Sequence, residues 1–488
     1  MSSRPPADRR RPYWTIPALF VLLAVPIGWA GIGLLAAAGV SAVIAVSRAL
    51  TARRAQATAA QRSAGAVVLG RDAGGGEVLI SDRQLSAHAL ILGATGAGKS
   101  TSLLQILTNH IRRGTPVVAI DMKGSPAFAG TLAGAAASAG RPFALWTLDG
   151  GAHWNPLLHG NPTECKDKLI ATERFTEPHY QRAAERYVQT VLRVLTQADP
   201  QRAPTLGAVV ELMDPMRLSV LIRRLSPATA GRTQDYLATL TPDQISAVRG
   251  LGTRLAIISE SHTGAFLEPA AAGASAPTID LRDALRGPDV VLFSLNSSTY
   301  GKLSAQLGTL AVQDLVSAVG DRLRHQSPGQ VVAQAIIAID EFSALGSDNV
   351  ISLLARGRES GASVLLATQE LADLDRAAPG LRDQVLGNTA VKLAHRQDVP
   401  ASAQTIAQMA GTERVWEETE RIRGALLGDR HAGRGTRRQV EQFVVHPNEI
   451  KSLPTGRAVL ITKLPSMRTR TVDVRAPQPR ERPGPELG

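Results

Sequence analysis

Short apolar runs alternate with amphipathic stretches along most of the chain from about residue 66 onward. Runs of this kind occupy residues 88–92, 116–121, 143–148, 289–295, 335–340 and 363–368. Continuous apolar strands separated by helices are typical of a parallel sheet that helices cover on both faces. Two further strand patterns, 457–462 and 469–475, follow near the end. We therefore expect an α/β fold, in which ligands bind at the carboxyl ends of the strands.

The strand pattern fades between residues 163 and 268, where apolar positions recur at helical spacing. Leu169, Ala184, Tyr187, Val188, Val191 and Leu192 illustrate this spacing, which predicts amphipathic helices. We interpret the segment as an inserted all-α domain. It divides the α/β domain into a first part, 66–162, and a second part, 269–475. The proline-rich tail, 476–488, is predicted to be disordered.

The N-terminal region contains an apolar run, residues 15–47, that is almost free of charge. It is longer than the roughly 20 residues that one membrane span needs and short for two full spans. Arginines flank it on both sides, which favours a hairpin of two short helices over 13–48. A basic cytoplasmic tail, 1–12, would precede the hairpin and a linker, 49–65, would follow it. This pattern predicts a multi-pass protein of the cell (inner) membrane with its α/β domain in the cytoplasm; a single span is the alternative.

Residues 93–101 read GATGAGKST and match the phosphate-binding loop, in which four residues separate a glycine from Gly-Lys-Ser. Glycines let the backbone turn tightly enough to aim several N–H groups at one polyphosphate. Lys99 is expected to reach the β- and γ-phosphates and Ser100 to bind Mg²⁺. The cofactors predicted are therefore ATP and Mg²⁺. The nucleotide would be held by Gly93, Ala94, Thr95, Gly96, Ala97, Gly98, Lys99, Ser100 and Thr101.

Two later strands end in polar residues that suit phosphoryl transfer. Asp340 and Glu341 close the 335–340 strand; in ring-type P-loop ATPases the first holds the Mg²⁺ shell and the second activates water. Gln369 follows the 363–368 strand and is predicted to sense the γ-phosphate, with a role as a helix cap as the alternative. The second strand ends in Asp121 and Lys123, which would lie near the same rim.

The segment between these strands carries two arginines, Arg356 and Arg358. Ring ATPases often take an arginine from the neighbouring subunit to stabilise charge in the transition state. We prefer Arg358 for this role over Arg356. Both residues are also compatible with a solvated helix face.

The chain has 488 residues and a formal net charge of +12, which favours a polyanionic partner or an anionic membrane surface. Six arginines lie in residues 421–438 among several glycines. Arginine on a glycine-rich loop suits phosphate contacts without base reading, although a solvated loop is an equal alternative. The single cysteine, Cys165, excludes an internal disulfide framework.

In order, the chain contains HALILGATGAGKSTSL, VVAIDMKGS, WNPL, AIIAIDEFSALG, RGRESGASVLLATQ and FVVHPNEIKSLPTGRAVL. Over residues 66–475 this ordered set resembles the coupling-protein ATPases of conjugative type IV secretion, the TraG/TraD family, within the group that includes HerA and FtsK. The resemblance implies a RecA-like P-loop ATPase that forms a membrane-tethered homo-hexamer and pumps plasmid DNA. Its implied partners are DNA, the relaxase and other relaxosome proteins, channel components and the membrane.

On the same resemblance, Lys99 and Ser100 bind ATP–Mg²⁺ and Glu341 activates water. Gln369 senses phosphate and Arg358 acts across the subunit boundary. Two other hypotheses remain open: an FtsK/HerA-like pump for double-stranded DNA, and an ATP-gated membrane scaffold that recruits relaxase or effector proteins.

Overall fold

The computed structural model of the protein describes residues 42–43, 65–173, 175–271, 273, 275–325, 333–345, 347–419, 422–423, 430–431 and 436–477. Its strands are β1 (Ala66–Arg71), β2 (Glu77–Ser81), β3 (Ala89–Leu92), β4 (Val117–Asp121), β5 (Phe143–Thr147), β6 (Gly150–Gly151), β7 (Val290–Ser294), β8 (Ala335–Asp340), β9 (Ala362–Thr368), β10 (Val391–Ala394), β11 (Thr412–Thr419), β12 (Ile422–Arg423), β13 (Arg430–His431), β14 (Thr436–Phe443), β15 (Arg457–Thr462) and β16 (Arg468–Val474).

The helices are α1 (Asp82–Leu85), α2 (Lys99–Arg112), α3 (Pro126–Ser138), α4 (Pro162–Ile170), α5 (Pro178–Ala198), α6 (Leu206–Glu211), α7 (Pro215–Ile222), α8 (Pro227–Ala238), α9 (Pro242–Ser259), α10 (Leu281–Ala284), α11 (Ser297–Tyr300), α12 (Lys302–Arg324), α13 (Ser347–Gly357), α14 (Leu371–Ala377), α15 (Leu381–Asn388), α16 (Pro400–Ala410) and α17 (Pro447–Lys451). Two short 3₁₀ turns, Gly264–Leu267 and Phe342–Ala344, complete the described elements.

One large sheet organises the molecule, in the order β2-β1-β16-β15-β10-β3-β9-β8-β4-β7-β5-β6. The strands from β10 to β5 run parallel, and antiparallel partners extend the sheet at both edges. The prediction of a mostly parallel α/β sheet is therefore confirmed. The apolar runs did not single out β1, β2 or the four-residue β10.

The register brings the carboxyl ends of the central strands to one rim. Leu92 of β3 pairs with Thr368 of β9, and Asp121 of β4 pairs with Asp340 of β8. Residues that follow these positions therefore emerge side by side, as expected for a doubly covered parallel sheet.

Alternate residues of each central strand enter different cores. In β3, Leu90 and Leu92 belong to the core that contains α5, α9 and α12. Ala89 and Ile91 pack in the core with α2, α3 and the edge strands β1 and β2. All four are buried, so both faces of the sheet are covered, which explains why such strands are apolar at every position.

Helices α4 to α9 form a run that no strand interrupts within the described part of residues 162–259. The helices α4, α5, α7, α8 and α9 begin with proline, whose fixed φ suits the first turn and whose missing N–H would have no partner there. In α5, Ala184, Tyr187, Val188, Val191 and Leu192 are buried along one face, as their spacing predicts. The limits of an inserted all-α domain stay a prediction.

The predicted membrane hairpin, 13–48, lies outside the described residues except for 42 and 43. None of the helices in the described ranges is both long and apolar enough to cross a membrane. The longest described helix, α12, has 23 residues but includes Asp314, Asp321 and Arg322, which are costly in a bilayer. This finding contradicts the prediction of a multi-pass membrane protein. The tails 1–12 and 478–488 and the linker residues 49–64 also lie outside the described residues.

Candidate functional site

The glycine-rich loop joins the end of β3 to the start of α2, as its pattern predicts. Gly96 and Gly98 have φ angles of 74° and 110°, in the left-handed region that glycine tolerates and other residues rarely adopt. A Cβ at Gly93 would lie 2.9 Å from the Cβ of His395, and one at Gly98 would lie 3.0 Å from the backbone nitrogen of Gly456. The loop thus needs glycine for its shape and for its close neighbours.

His395, directly after β10, forms the floor of this loop. Its Nε2 lies 2.8 Å from Oγ of Ser102 in α2 and its Nδ1 lies 3.1 Å from the carbonyl oxygen of Arg457. Burial lowers the pKa of His395 to about 4, so the ring is neutral at pH 7. Nδ1–H then donates to the carbonyl and Nε2 accepts from the serine hydroxyl. No sequence pattern predicts this residue, because nothing in the glycine motif refers to a strand about 300 residues away.

A second support comes from the turn before β15. Gly456 N–H donates to the carbonyl of Ala97 at 2.9 Å, and Thr455 Oγ1 donates to the carbonyl of Gly96 at 3.3 Å. The loop is therefore held from below by His395 and from the side by residues 455–456.

The acidic pair lies directly against the loop. Ser100 Oγ donates to Oδ2 of Asp340 at 3.2 Å, and Asp340 is 1% exposed. Lys99 Nζ lies 2.5 Å from Oε1 of Glu341 and 3.9 Å from Oδ1 of Asp340. Glu341 has a φ of 57°, an uncommon value for a residue other than glycine, which turns the chain sharply out of β8.

The two carboxyl groups have opposite pKa shifts. Burial raises the pKa of Asp340, against the opposing charge of Lys99. Burial also pushes the pKa of Glu341 upward, but Lys99 and Lys123 outweigh it and hold that pKa below its ordinary value. Burial raises the pKa of Asp121 as well, and the charge of Asp340 adds to the effect. Of the three carboxyl groups, Glu341 is therefore the one whose ionised form its neighbours favour most.

Gln369 joins the loop to the acidic pair. Its Nε2 donates to Oε1 of Glu341 at 3.2 Å, its Oε1 accepts from Oγ1 of Thr95 at 3.1 Å, and its carbonyl accepts from the N–H of Gly93 at 3.2 Å. The alternative role of Gln369 as a helix cap goes to Glu370, the N-cap of α14.

The structure does not bring the two candidate arginines to this site within one chain. Arg358 follows α13 at the opposite end of the strands, where its charge contributes to lowering the pKa of His88 just before β3. Arg356 and Arg358 are both exposed. Their predicted action across a subunit boundary stays a prediction.

Lys123, one of the two rim residues predicted from the second strand, reaches the centre of the site. Its Nζ lies 2.7 Å from the same Oε1 of Glu341 that Lys99 contacts. Lys99, Lys123 and Gln369 therefore all contact the same carboxylate oxygen of Glu341.

These residues fit ATP and Mg²⁺. Gly96 and Gly98 hold the left-handed conformations from which successive backbone N–H groups can converge on a phosphate chain. The Ser100 hydroxyl beside the Asp340 carboxylate offers the hard oxygen donors that Mg²⁺ prefers. Within the described part of the chain, no group of three or more His, Cys, Asp or Glu side chains could hold a metal ion.

Comparison with known families gives two matches. Residues 334–455 match the family described as the TraM recognition site of TraD and TraG. Residues 49–129 match the FtsK/SpoIIIE family. No curated protein matches the chain.

Several solved structures share the fold. The bacterial conjugative coupling protein TrwBdeltaN70 in its unbound form is 16% identical over 86% of this chain and 91% of its own, with a TM-score of 0.59. The plasmid coupling protein TrwB in complex with ADP and Mg²⁺ is 14% identical over 86% of this chain and 92% of its own, with a TM-score of 0.59. VirB4 of Thermoanaerobacter pseudethanolicus is 15% identical over 85% of this chain and 97% of its own, with a TM-score of 0.55.

Fold and site together define a RecA-like P-loop ATPase. The glycine loop, the buried aspartate and the following glutamate meet at the rim of a sheet that those structures share. The two family matches confirm the resemblance to coupling proteins of the TraG/TraD type that the motifs predict, over residues 334–455 for TraD and TraG and over residues 49–129 for the FtsK/SpoIIIE group.

Proposed function

We propose that the protein is an ATP-hydrolysing DNA translocase, which couples plasmid DNA in a relaxosome to a type IV secretion channel during conjugative transfer. The observation that carries this proposal is the meeting of Lys99, Glu341 and Gln369 at one carboxylate oxygen beside the glycine loop. A phosphate-binding cation, a water-activating base and an amide linked to the loop are the parts that a translocating ATPase needs.

Ser100 and Asp340 would hold Mg²⁺. The ion would neutralise charge that develops on the phosphate oxygens. Glu341 accepts the proton of the attacking water, and the neighbouring cations favour the ionised form that can accept it. Gln369 contacts both Glu341 and Thr95 of the loop, so a change at the loop reaches the base through a single side chain.

Arg358 would complete the site from a neighbouring subunit in a homo-hexamer. Its exposure and its position away from the loop of its own chain support this assignment, because a residue that acts in trans has to face outward. The test mixes Lys99→Ala and Arg358→Ala chains, each inactive alone. Partial recovery of ATP hydrolysis in the mixture supports an arginine in trans, whereas Arg356→Ala serves as the matched control and should leave activity intact. A mixture as inactive as either variant contradicts the assignment.

DNA and relaxosome proteins are the proposed partners. The net charge of +12 supports a polyanionic partner, and the match of residues 334–455 to a TraM recognition region supports a relaxosome protein. Most of the basic segment, 421–438, lies outside the described residues, and its contact with DNA phosphates stays a prediction.

The deciding experiment measures the ATP hydrolysis rate of the full chain, with and without single- and double-stranded DNA, over a range of protein concentrations. Stimulation by DNA that rises steeply with concentration supports an assembling motor. Stimulation by double-stranded DNA alone favours a pump of the FtsK/HerA kind, to whose wider group residues 49–129 are similar. An ATP hydrolysis rate that does not change when DNA is added contradicts the proposed translocase function and favours a scaffold that recruits relaxase or effector proteins.

A further inference from the structure

The turn that follows β4 is held rigidly at the rim of the sheet. Asp121 accepts hydrogen bonds from the backbone N–H groups of Lys123 at 2.9 Å and Ser125 at 2.6 Å. Asp121 is 1% exposed, so a buried carboxylate fixes the backbone on both sides of residue 124. This pattern is an Asx-type turn, in which a side chain replaces the backbone acceptor of a turn.

The loop after β7 clamps the same turn from its other side. Ser297 N–H donates to the carbonyl of Met122 at 2.8 Å and Leu295 N–H donates to that of Asp121 at 2.9 Å. Gly124 has a φ of 66° and lies so close to Asn296 that a Cβ would stand 2.6 Å from the Asn296 Cβ. The backbone at Lys123 therefore has little conformational freedom. Only rotations within the Lys123 side chain can move its ammonium group substantially.

From this fixed backbone Lys123 reaches Glu341. Its Nζ lies 2.7 Å from Oε1, the oxygen that Lys99 also contacts at 2.5 Å. The Glu341 side chain is 13% exposed, so the carboxylate depends on its partners for charge compensation. The groups that face it are Lys99 from α2, Lys123 from the β4 turn, Gln369 from the end of β9 and the adjacent Asp340.

The general chemistry of a phosphate-binding loop requires Lys99 to turn toward the β- and γ-phosphates. Lys99 then leaves Glu341, and Lys123 is the cation that stays with the carboxylate. We propose that Lys123 is a positioning residue, which holds and compensates Glu341 so that Lys99 is free to bind the nucleotide. The inference rests on the ATPase function proposed above and adds a residue to its machinery.

The test is a double-mutant cycle on the full chain, with the affinity for a non-hydrolysable ATP analogue with Mg²⁺ as the main readout. In Lys123→Met, Lys99 is the only cation left beside Glu341 and has to leave that carboxylate when the nucleotide binds. The affinity for the ATP analogue should therefore fall about tenfold. In the Glu341→Gln background there is no carboxylate at position 341 to compensate, so adding Lys123→Met should change the affinity for the analogue less than about twofold. Equal losses in both backgrounds would mean that Lys123 acts on the nucleotide directly and would overturn the inference, as would an unchanged affinity in the single variant.

Turnover provides a second readout. Lys123→Met should lower kcat more than it changes KM at saturating Mg²⁺, and Lys123→Arg should recover most of kcat because it restores a cation on the same turn. If Lys123 had only a structural role, kcat would not be higher in Lys123→Arg than in Lys123→Met. If the wild-type chain hydrolyses no ATP, the proposed function fails, yet the affinity cycle still decides the role of Lys123.

Discussion

Lys99 and Glu341 form an ion pair with 2.5 Å between Nζ and Oε1. The residue expected to bind phosphate and the residue expected to activate water thus hold each other. Nucleotide binding has to separate them, so occupancy of the loop and availability of the base are linked through one contact.

Glu341→Gln should abolish turnover without abolishing nucleotide binding. The amide cannot take a proton from water, so kcat should fall by roughly 10²- to 10⁴-fold. Lys99 loses its strongest partner, so affinity for an ATP analogue should be kept or improved. Rapid-quench hydrolysis and calorimetric binding measure the two effects. Glu413→Gln, on an exposed strand position, is the matched control; a Glu341→Gln chain with wild-type kcat would remove Glu341 from catalysis.

Gly93→Ala should damage the nucleotide site and the stability of the loop. The new methyl group would lie 2.9 Å from the Cβ of buried His395 and 3.6 Å from the Cβ of Ala97. Neither of these atoms is the end of a flexible side chain. We expect a loss of about 1–3 kcal/mol in unfolding free energy, with weaker analogue binding. Gly134→Ala, in α3 where an added Cβ would meet no atom within 4 Å beyond its chain neighbours and its own helix backbone, should be neutral or slightly stabilising. Equal effects at both positions would contradict the close packing described at Gly93.

Lys168→Met should strongly destabilise the contact between α4 and α12. Lys168 Nζ lies 2.7 Å from Oδ1 of Asp314, with side chains 2% and 10% exposed, and Trp154 Nε1 donates to the other oxygen at 2.9 Å. Removing one partner of a buried pair costs about 3–5 kcal/mol because it leaves an uncompensated charge. Denaturant unfolding measures the loss.

Two variants control for that effect. The double variant Lys168→Met with Asp314→Leu should recover part of the stability, since no unpaired charge remains. Arg217→Ala, in an exposed pair with Glu211 in which both side chains are 61% exposed, should change stability by less than about 1 kcal/mol. A small loss in Lys168→Met would mean that water reaches Asp314.

His88 should make the fold weaken as the pH falls from about 6.5 toward 4. Its Nδ1 accepts from the N–H of Val364 at 3.0 Å and its Nε2 donates to the carbonyl of Leu354 at 2.8 Å, so the ring is held neutral. Burial lowers the pKa of His88 to about 4, below its value of about 6.5 in an unfolded chain. The unfolded state therefore binds more protons within this window, and stability decreases by up to about 1.4 kcal/mol per pH unit.

His88→Gln should reduce that slope, because glutamine can donate and accept without titrating. Thermal or urea unfolding between pH 7 and 4.5 gives the slope for each variant, and His262→Gln, at a half-exposed position, serves as the control. Buried His110 and His395, whose pKa values burial also lowers to about 4, contribute in parallel to all three chains. Slopes that coincide for wild type and His88→Gln would contradict the assignment.

Sequence alone determined the parallel core and the class of protein. Central strands such as 335–340 are buried on both faces, so they consist of consecutive apolar residues up to the final Asp340, and this pattern can be recognised without coordinates. The glycine loop is equally local, because its function needs a fixed spacing of glycine, lysine and serine. The predictions of an ATPase with ATP and Mg²⁺ and of the TraG/TraD resemblance followed from these local patterns and are confirmed.

Tertiary structure alone decided which distant side chains share the site. His395 and Gly456 support the loop, and Lys123 reaches Glu341, although each contact joins residues more than 200 positions apart in the sequence. The pairing of β4 with β8, of β3 with β10 and of β10 with β15 sets these contacts, and no local spacing encodes the order of strands in a sheet. Arg358 lies at the far end of the strands because it precedes β9, which runs parallel to its neighbours. For such residues the neighbours, and hence the charge and the accessible space, exist only once the sheet has formed.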